Sequence, residues 1–328
     1  PVEVPQGAIR LNTDSQKLEF YAQDQWWEMA TDVPTLNGGV RALCGGGFDP
    51  AVSNMIQGWN IATAGSNFDF GNLTEARGYA FGASSRTRAV FAGGGTPTKV
   101  DTIDYVTFAS FGDAIAFGEL ANTDRWHGAG ASNETRGLFA GGETPTRLNE
   151  IDYITIATTG DAKDFGDLTR IAEGPPGVTS PTRAVFCGGT NPSGVHNTID
   201  YVTIATLGNA QDFGDLSSTF FGGGSGSNAV RGLVGGGANP NNVDTIESVY
   251  MATLGNGTDF GDITVARRYM AGCSSSTRMT WAGGLDPTIR DVIDYVTIAT
   301  EGNAIDFGDL NDHMYANTSG VSNGHGGL

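Results

Sequence analysis

The sequence has few of the residues on which several common function classes depend. It contains 3 lysines, 4 histidines and 3 cysteines among 328 residues, and acidic residues outnumber Lys and Arg by 36 to 18. A net charge of −18 leaves no basic surface for a phosphate backbone, so we expect no nucleic-acid partner. No apolar run approaches the roughly 20 residues of a membrane helix, and no signal peptide opens the chain, so we expect no membrane insertion.

Motifs for catalysis and for metal binding are also missing. The histidines form no zinc or copper spacing, and no G-x-S-x-G, H-E-x-x-H, phosphate-loop or D-x-D-x-D-G motif occurs. Cys44, Cys187 and Cys273 form no C-x-x-C motif, and we expect them to pack as small buried residues. We therefore predict no catalytic residue, no metal and no cofactor.

Glycine, in contrast, is abundant. The chain has 50 glycines, about twice the usual share of roughly 7%. Short β-branched and aromatic runs alternate with clusters of Gly, Asn, Asp, Pro and Ser, and long amphipathic helical patterns are absent. This composition predicts an all-β chain.

The chain repeats itself every 47 or 48 residues. In each repeat an arginine opens a segment that ends in small residues, and a phenylalanine marks a D-F-G-D-L-like segment. The arginines are Arg41, Arg88, Arg136, Arg183, Arg231 and Arg278, and the phenylalanines are Phe70, Phe117, Phe165, Phe213, Phe260 and Phe307. Because two independent markers keep one period over six units, the repetition is not a chance pattern.

Each repeat holds four strand-like runs, which we name A, B, C and D. In the repeat around Arg136 they are His127–Asn133, Thr135–Ala140, Glu150–Ala157 and Asp164–Leu168. Run C is apolar on both faces apart from its aspartate, as in a sheet sandwiched between neighbours. Four-stranded units at this period, without helices, predict a six-bladed β-propeller over residues 36–328.

The two ends of the repeat region indicate how the first blade is completed. The first repeat lacks run A, and a surplus run, His313–Ser319, follows the last run D. We predict that this run forms the innermost strand of the blade that starts near Arg41.

The A–B and C–D turns lie at the same end of a four-stranded meander. We therefore also expect each run-B arginine to pair with an aspartate of run D, or to cap a turn there.

Two resemblances add to this interpretation. The double glycine after run B and the aromatics of runs C and D resemble the kelch repeat over residues ~38–325, which implies a kelch-like propeller. The phrase I-D-Y-V-T-I-A-T-x-G-N-A-x-D-F-G-D-L is similar to repeats in virion structural proteins of marine bacteriophages (cyanophage type). The resemblance implies a component of a phage particle, with other virion subunits as partners.

Residues 1–35 lack both repeat markers. They are typical of a small β-meander with turns at Asn12–Gln16 and Gln23-Asp24. The pattern G-x-I-R-x-N-T-D-x-x-K-L-E-x-Y from Gly7 resembles segments of bacteriophage tail-fibre and other virion proteins. The resemblance implies an attachment or oligomerisation element, with a homotrimer as the expected assembly.

The D–A connections break the uniformity of the repeats, and variable loops often carry function. Aromatic faces beside guanidinium groups suit sugar rings and acidic glycans, through stacking and bidentate hydrogen bonds. We predict a ligand-binding role for Arg77, Tyr79, Arg125, Trp126, His127, Arg268, Tyr269, His313 and Tyr315. Trp126 is the foremost candidate, although strand alternation would point it away from its two neighbours. The arginines could instead be structural, and the aromatics could line the core.

Two function classes follow from these observations. The first is a phage appendage of the tail-fibre or receptor-binding type, whose propeller recognises a host-surface glycan or protein receptor without breaking a bond. The second is a purely structural virion part, a decoration or connector that binds only other virion subunits. A glycan-cleaving enzyme is a third alternative, because any two carboxylates can meet in space.

Overall fold

The computed structural model describes residues 4–12, 17–28, 39–48, 51–65, 67–96, 98–121, 124–311 and 320–328. The chain divides into two compact units, Pro1–Leu36 and Asn37–Leu328. All regular structure in the described residues is β-structure, and none of them belongs to a helix that is long and apolar enough to span a membrane.

The first unit is a three-stranded antiparallel meander. Its strands are β1 (Ile9–Asn12), β2 (Lys17–Ala22) and β3 (Gln25–Glu28), in the order β1-β2-β3. Gln23 and Asp24, with φ of 50° and 60°, form the tight turn between β2 and β3. On one face Arg10 pairs with Glu19 at 2.7 Å and lies 4.1 Å from the centre of the Trp26 ring.

The second unit contains six antiparallel sheets of four strands, which we number along the chain. Sheet 1 contains β4 (Arg41–Gly45), β5 (Met55–Asn60) and β6 (Phe68–Asn72). Sheet 2 contains β7 (Phe81–Ser84), β8 (Arg88–Ala92), β11 (Thr102–Thr107) and β12 (Ile115–Glu119), and a small hairpin of β9 (Gly95–Thr96) and β10 (Thr98–Lys99) links β8 to β11. Sheet 3 contains β13 (Ala129–Ser132), β14 (Arg136–Ala140), β15 (Glu150–Thr155) and β16 (Lys163–Asp167).

The remaining three sheets repeat this plan. Sheet 4 contains β17 (Gly177–Thr179), β18 (Arg183–Cys187), β21 (Thr198–Thr203) and β22 (Gln211–Asp215), with the hairpin of β19 (Thr190–Asn191) and β20 (Gly194–Val195). Sheet 5 contains β23 (Gly224–Ser227), β24 (Arg231–Gly235), β25 (Thr245–Tyr250) and β26 (Thr258–Asp262). Sheet 6 contains β27 (Ala271–Ser274), β28 (Arg278–Ala282), β31 (Val292–Thr297) and β32 (Ile305–Asp309), with the hairpin of β29 (Leu285–Asp286) and β30 (Thr288–Ile289).

The fourth strand of sheet 1 comes from the C-terminal end of the chain. It is β33 (Val321–Ser322), which pairs with Leu43 and Ala42 of β4. The prediction that His313–Ser319 forms this strand is wrong by three residues, and residues 312–319 lie outside the described part. The register explains the shift, because Ser322 opposes Ala42 as Ser274 opposes Met279 in sheet 6.

The core lies between the sheets. Each B strand is buried from its second residue onward, and five buried clusters each combine residues of two consecutive sheets. A sixth cluster combines residues of sheet 1, such as Trp59, with residues of sheet 6, such as Phe307. Cys44, Cys187 and Cys273 are free and buried in these clusters or next to them, as predicted. Burial of apolar faces on both sides of each sheet therefore drives this packing.

The arginine at the start of each B strand joins neighbouring sheets. Arg88 donates to the main-chain oxygen of Ile156 in sheet 3 at 2.9 Å, and its guanidinium lies 4.5 Å from the centre of the Tyr105 ring. Equivalent bonds link Arg136 to Ile204, Arg183 to Met251 and Arg231 to Ile298. The expected ion pair with an aspartate of strand D is wrong. In sheets 2 to 6 a tyrosine of strand C lies beside the guanidinium. The guanidinium donates a hydrogen bond to a main-chain oxygen that follows strand C of the neighbouring sheet, as Arg88 does to Ile156.

Each A strand ends in a residue with a hydroxyl group. These residues are Ser84, Ser132, Thr179, Ser227, Ser274 and Ser322. Four of the hydroxyls donate to the main-chain oxygen of the equivalent residue in the preceding sheet, for example Ser132 to Ser84 at 2.9 Å. The Ser322 hydroxyl of sheet 1 donates to the main-chain oxygen of Ser274 in sheet 6. His325 lies against this set, with Nε2 3.1 Å from the Ser84 oxygen and Nδ1 3.2 Å from the Thr179 hydroxyl. His325 thus lines a cavity of about 50 Å³ together with residues of the A strands.

Candidate functional site

The D–A connections share an unusual backbone conformation. In each of the five described connections, a residue two or three positions before strand A has a positive φ: Tyr79 (58°), His127 (55°), Gly174 (66°), Gly222 (69°) and Tyr269 (59°). Glycine adopts this left-handed conformation freely, whereas a bulky side chain in it is strained. Three connections therefore keep an aromatic ring at a position where the other two use glycine.

Main-chain hydrogen bonds bring these five residues together from five sheets. His127 N donates to Tyr79 O at 3.1 Å, and Gly174 N donates to His127 O at 2.7 Å. Gly222 N donates to Gly174 O at 3.0 Å, and Tyr269 N donates to Gly222 O at 2.7 Å. The side chains of positions far apart in sequence consequently meet at one place.

The rings that meet there form what we call the aromatic cluster: Tyr79, Trp126, His127 and Tyr269. Tyr79 lies edge-on to Trp126 and to Tyr269, with 5.5 Å between ring centres in both pairs. His127 stacks on Tyr269 at 5.2 Å and 26°. A Cβ atom at Gly222 would lie 2.8 Å from the Tyr269 ring, so glycine at 222 also makes room for the cluster.

Four predicted site residues thus converge, including two that strand alternation would separate. The Trp126 and His127 rings lie 5.8 Å apart at an angle of 31°. The expected alternation fails here because His127 has a positive φ, which interrupts the extended backbone. A cavity of about 50 Å³ lies beside the cluster and includes Gly128 and Gly174 in its lining, but it is too small for a sugar ring. A ligand would have to lie outside this cavity, against the exposed surface of the cluster.

Glu173, which is itself paired with Arg147, holds the His127 ring in place. The Nδ1 atom of His127 lies 2.8 Å from Glu173 Oε1, and Arg147 Nε donates to Glu173 Oε2 at 2.5 Å. Burial lowers the pKa of His127, and the neighbouring Glu173 offsets this only in part. Burial would raise the pKa of Glu173, but the hydrogen bonds from His127 and Arg147 bring it down to about 2. Neutral His127 therefore donates from Nδ1 to an ionised Glu173.

This arrangement leaves an acceptor at the other ring nitrogen. His127 Nε2 carries a lone pair, and it has no hydrogen-bond partner among the described residues. Trp126 Nε1, a donor, is likewise buried without a partner in this part of the chain. Unsatisfied buried polar atoms are uncommon in folded proteins, and they mark a place where a small rearrangement would admit a partner.

Trp126 packs against the neighbouring B–C hairpin. Lys99 Nζ lies 4.8 Å from the centre of its ring and 3.3 Å from Glu143 Oε1. A Cβ atom at Gly95 would lie 2.7 Å from the ring, so the indole rests directly on that glycine. The ring is half-buried, with one side against protein.

Two of the predicted arginines, Arg77 and Arg125, are buried in ion pairs. Arg77 Nη2 pairs with Asp104 Oδ2 at 2.9 Å, and Arg125 Nη2 pairs with Asp152 Oδ2 at 2.7 Å, with all four side chains at most 2% exposed. Burial raises the pKa of Asp152, while Arg125 acts in the opposite direction. A surface ligand would have no access to these guanidiniums, so the placement favours the structural alternative for both residues.

The other predicted residues divide into two groups. Arg268 stands beside the cluster, with its guanidinium carbon 5.1 Å from the centre of the Tyr269 ring. His313 and Tyr315 lie outside the described residues. Sequence reasoning missed Lys99, Arg147 and Glu173. The first two are 48 residues apart at one position of the B–C hairpin, which was a usable signal.

The side chains of the aromatic cluster offer ring faces and, among the described residues, one free acceptor and one free donor. Within the described ranges, no group of three or more His, Cys, Asp or Glu residues could hold a metal ion. Comparison of the sequence with known proteins finds no matching family model and no matching curated protein. The geometry described above is therefore what supports a function.

Proposed function

We propose that the six sheets are the blades of a closed six-bladed β-propeller of the kelch-like kind. Several contacts that join sheet 6 to sheet 1 support this arrangement. Arg278 Nη1 of sheet 6 donates to Ala62 O at 2.8 Å, just after β5 of sheet 1, as the other B-strand arginines do to their next sheets. Cys273 Sγ of sheet 6 lies 3.4 Å from Val321 O of sheet 1, and the Ser322 hydroxyl of sheet 1 donates to Ser274 O of sheet 6.

We propose further that the protein is a binding module and that the aromatic cluster recognises a host-surface saccharide without breaking a bond. This proposal rests on the left-handed φ of Tyr79, His127 and Tyr269, at positions that hold glycine in two other connections. Strained residues of this kind persist where their side chains have a use. Aromatic rings with a nearby donor and acceptor suit the apolar faces and hydroxyls of a sugar.

The biological setting is proposed from the resemblances alone. The chain would be a component of a phage appendage, located in the virion, with its first 36 residues attaching it to other virion subunits. Peptides of this chain in purified phage particles would support the setting. Light scattering of the full chain tests the expected homotrimer, and removal of the first unit should then give monomers.

The site is tested by Trp126→Ala and a matched control. The control is Tyr250→Ala, because Tyr250 is 48% exposed and lies at the C-strand end of sheet 5, away from the cluster. Loss of one stacking ring costs about 1–3 kcal/mol, so Trp126→Ala should weaken binding on a glycan array by about 5- to 150-fold. The Tyr250→Ala protein should bind as the unchanged protein does.

The outcomes separate the candidate functions. Unchanged binding by Trp126→Ala would remove this residue from the site. Unfolding of the variant would instead identify Trp126 as a core residue. Absence of binding to every saccharide, together with binding to purified virion subunits, would favour the structural decoration or connector.

A further inference from the structure

Almost every cation near the D–A and B–C connections is neutralised by a carboxylate. The pairs are Arg77 with Asp104, Lys99 with Glu143, Arg125 with Asp152, Arg147 with Glu173, Arg170 with Asp200, Arg267 with Asp294 and Arg290 with Asp286. Arg268 is the exception: no described carboxylate pairs with its guanidinium, and its buried Nε has no hydrogen-bond partner. One cation at this end of the sheets is therefore left for an external partner.

The residue bridged to Arg268 carries no carboxylate. Residues of the D–A connection bridge to residues of the B–C connection, and Trp126 bridges to Glu143. The equivalent bridge in sheet 6 joins Arg268 to Leu285. The position that supplies a carboxylate in sheet 3 is thus apolar in sheet 6.

Arg268 also borders the aromatic cluster directly. Its guanidinium carbon lies 5.1 Å from the centre of the Tyr269 ring, and Tyr269 stacks on His127. A sugar ring resting on the cluster could therefore extend a substituent to the guanidinium. The planar fork of an arginine matches a carboxylate in bidentate geometry.

We infer that the ligand of the aromatic cluster is an acidic saccharide whose carboxylate binds Arg268. This inference rests on the proposed function and narrows it. Arg268 is the only one of the predicted arginines Arg77, Arg125 and Arg268 that can serve, because the other two are buried in ion pairs. The net charge of −18 repels anions at long range, so the contact acts at short range.

The test uses pairs of oligosaccharides that differ in one group. One member ends in glucuronic acid and the other in glucose through the same linkage, and a sulfated analogue of the glucose member forms a third arm. The full chain should bind the carboxylate member most tightly. Arg268→Gln should weaken that binding by about 10- to 100-fold and leave binding of the glucose member unchanged, because it removes a charge-assisted bond. Arg268→Lys should fall between the two.

Arg290→Gln is the matched control. Arg290 lies in the B–C connection of sheet 6, at the same end of the sheet as Arg268. Its guanidinium already pairs with Asp286 at 3.4 Å, so binding of the saccharide should not change. Thermal unfolding of each variant verifies folding. Variants discriminate better than a salt titration, because salt screens both the attraction by Arg268 and the repulsion by the remaining charge.

The failure of this inference differs from the failure of the proposed function. Equal binding of the carboxylate and glucose members, or unchanged carboxylate binding by Arg268→Gln, would overturn the inference and leave saccharide recognition intact. Tighter binding of the sulfated member would overturn the choice of a carboxylate. Binding of no saccharide at all would overturn both.

Discussion

Backbone strain at Tyr79 gives a prediction that separates the ring from the backbone that carries it. Tyr79 has a φ of 58°, and an L-residue in this conformation is less stable by about 1–2 kcal/mol. Replacement by alanine removes the ring but keeps the strain. Replacement by glycine removes both, although glycine adds about 0.5–1 kcal/mol of entropy to the unfolded chain.

The comparison of the two variants isolates this strain. We expect Tyr79→Gly to be more stable to urea than Tyr79→Ala by about 0.5–1 kcal/mol, because all other contacts of the ring are lost equally. The matched control is Tyr153 in strand β15, a half-buried tyrosine without a positive φ. At Tyr153 the order should reverse, with glycine less stable than alanine by about 0.5–1 kcal/mol.

Binding completes the test. Both Tyr79 variants should lose saccharide binding, whereas both Tyr153 variants should keep it, since Tyr153 contacts Phe165 and Arg136 away from the cluster. The reasoning is refuted if Tyr79→Gly is no more stable than Tyr79→Ala. It is refuted in its functional part if either Tyr79 variant binds normally.

Three further predictions concern the sheets. Arg125→Met should destabilise the protein by about 3–5 kcal/mol in urea, because it leaves Asp152 buried alone, and Arg125→Met/Asp152→Leu should recover most of this loss; similar stability of all three proteins would contradict a buried pair. Burial lowers the pKa of His325 to about 4, so the folded protein disfavours the protonated ring. The contribution of His325 to the free energy of unfolding is therefore complete above its unfolded pKa of about 6.5 and is lost as the pH falls from there to about 4. The loss is up to about 3 kcal/mol, and His325→Gln should show a shallower pH profile; it is not flat, because burial holds His127 neutral in the same way. Deletion of residues 320–328 removes β33 and exposes an edge of β4, so the melting temperature should fall; an unchanged one would contradict the role of β33.

The repeat pattern predicts the sheets closely because packing repeats with it. In sheet 3 the predicted runs agree with β13 to β16 to within two residues at every boundary. The double glycine after strand B has positive φ in the structure, as at Gly141 and Gly142 with 64° and 99°. Local sequence sufficed here, since each strand has the same neighbours in every repeat.

Side-chain partners between sheets were harder to predict. The B-strand arginine donates to a carbonyl about 68 residues away, as Arg88 does to Ile156, and no local spacing indicates such a partner. The alignment of the last A strand failed for a related reason. Its register depends on pairing with β4, at the other end of the chain.

The candidate site was predictable in its aromatic residues but not in its geometry. Tyr79, Trp126, His127 and Tyr269 stood out because they interrupt a regular repeat. Their convergence depends on the positive φ of the residue just before strand A. Sequence suggests this conformation only where glycine occupies that position, as at Gly174 and Gly222. Burial of Arg77 and Arg125 depends on Asp104 and Asp152, each 27 residues further along the chain.

The most direct test of the central claim is a crystal structure of the full chain with the saccharide that binds it most tightly on a glycan array. The account predicts that the sugar ring rests on the aromatic cluster, in contact with Trp126 or Tyr79, and that the D–A connections keep their left-handed residues. A saccharide bound at the turns between strands C and D, with the cluster unoccupied, would contradict it.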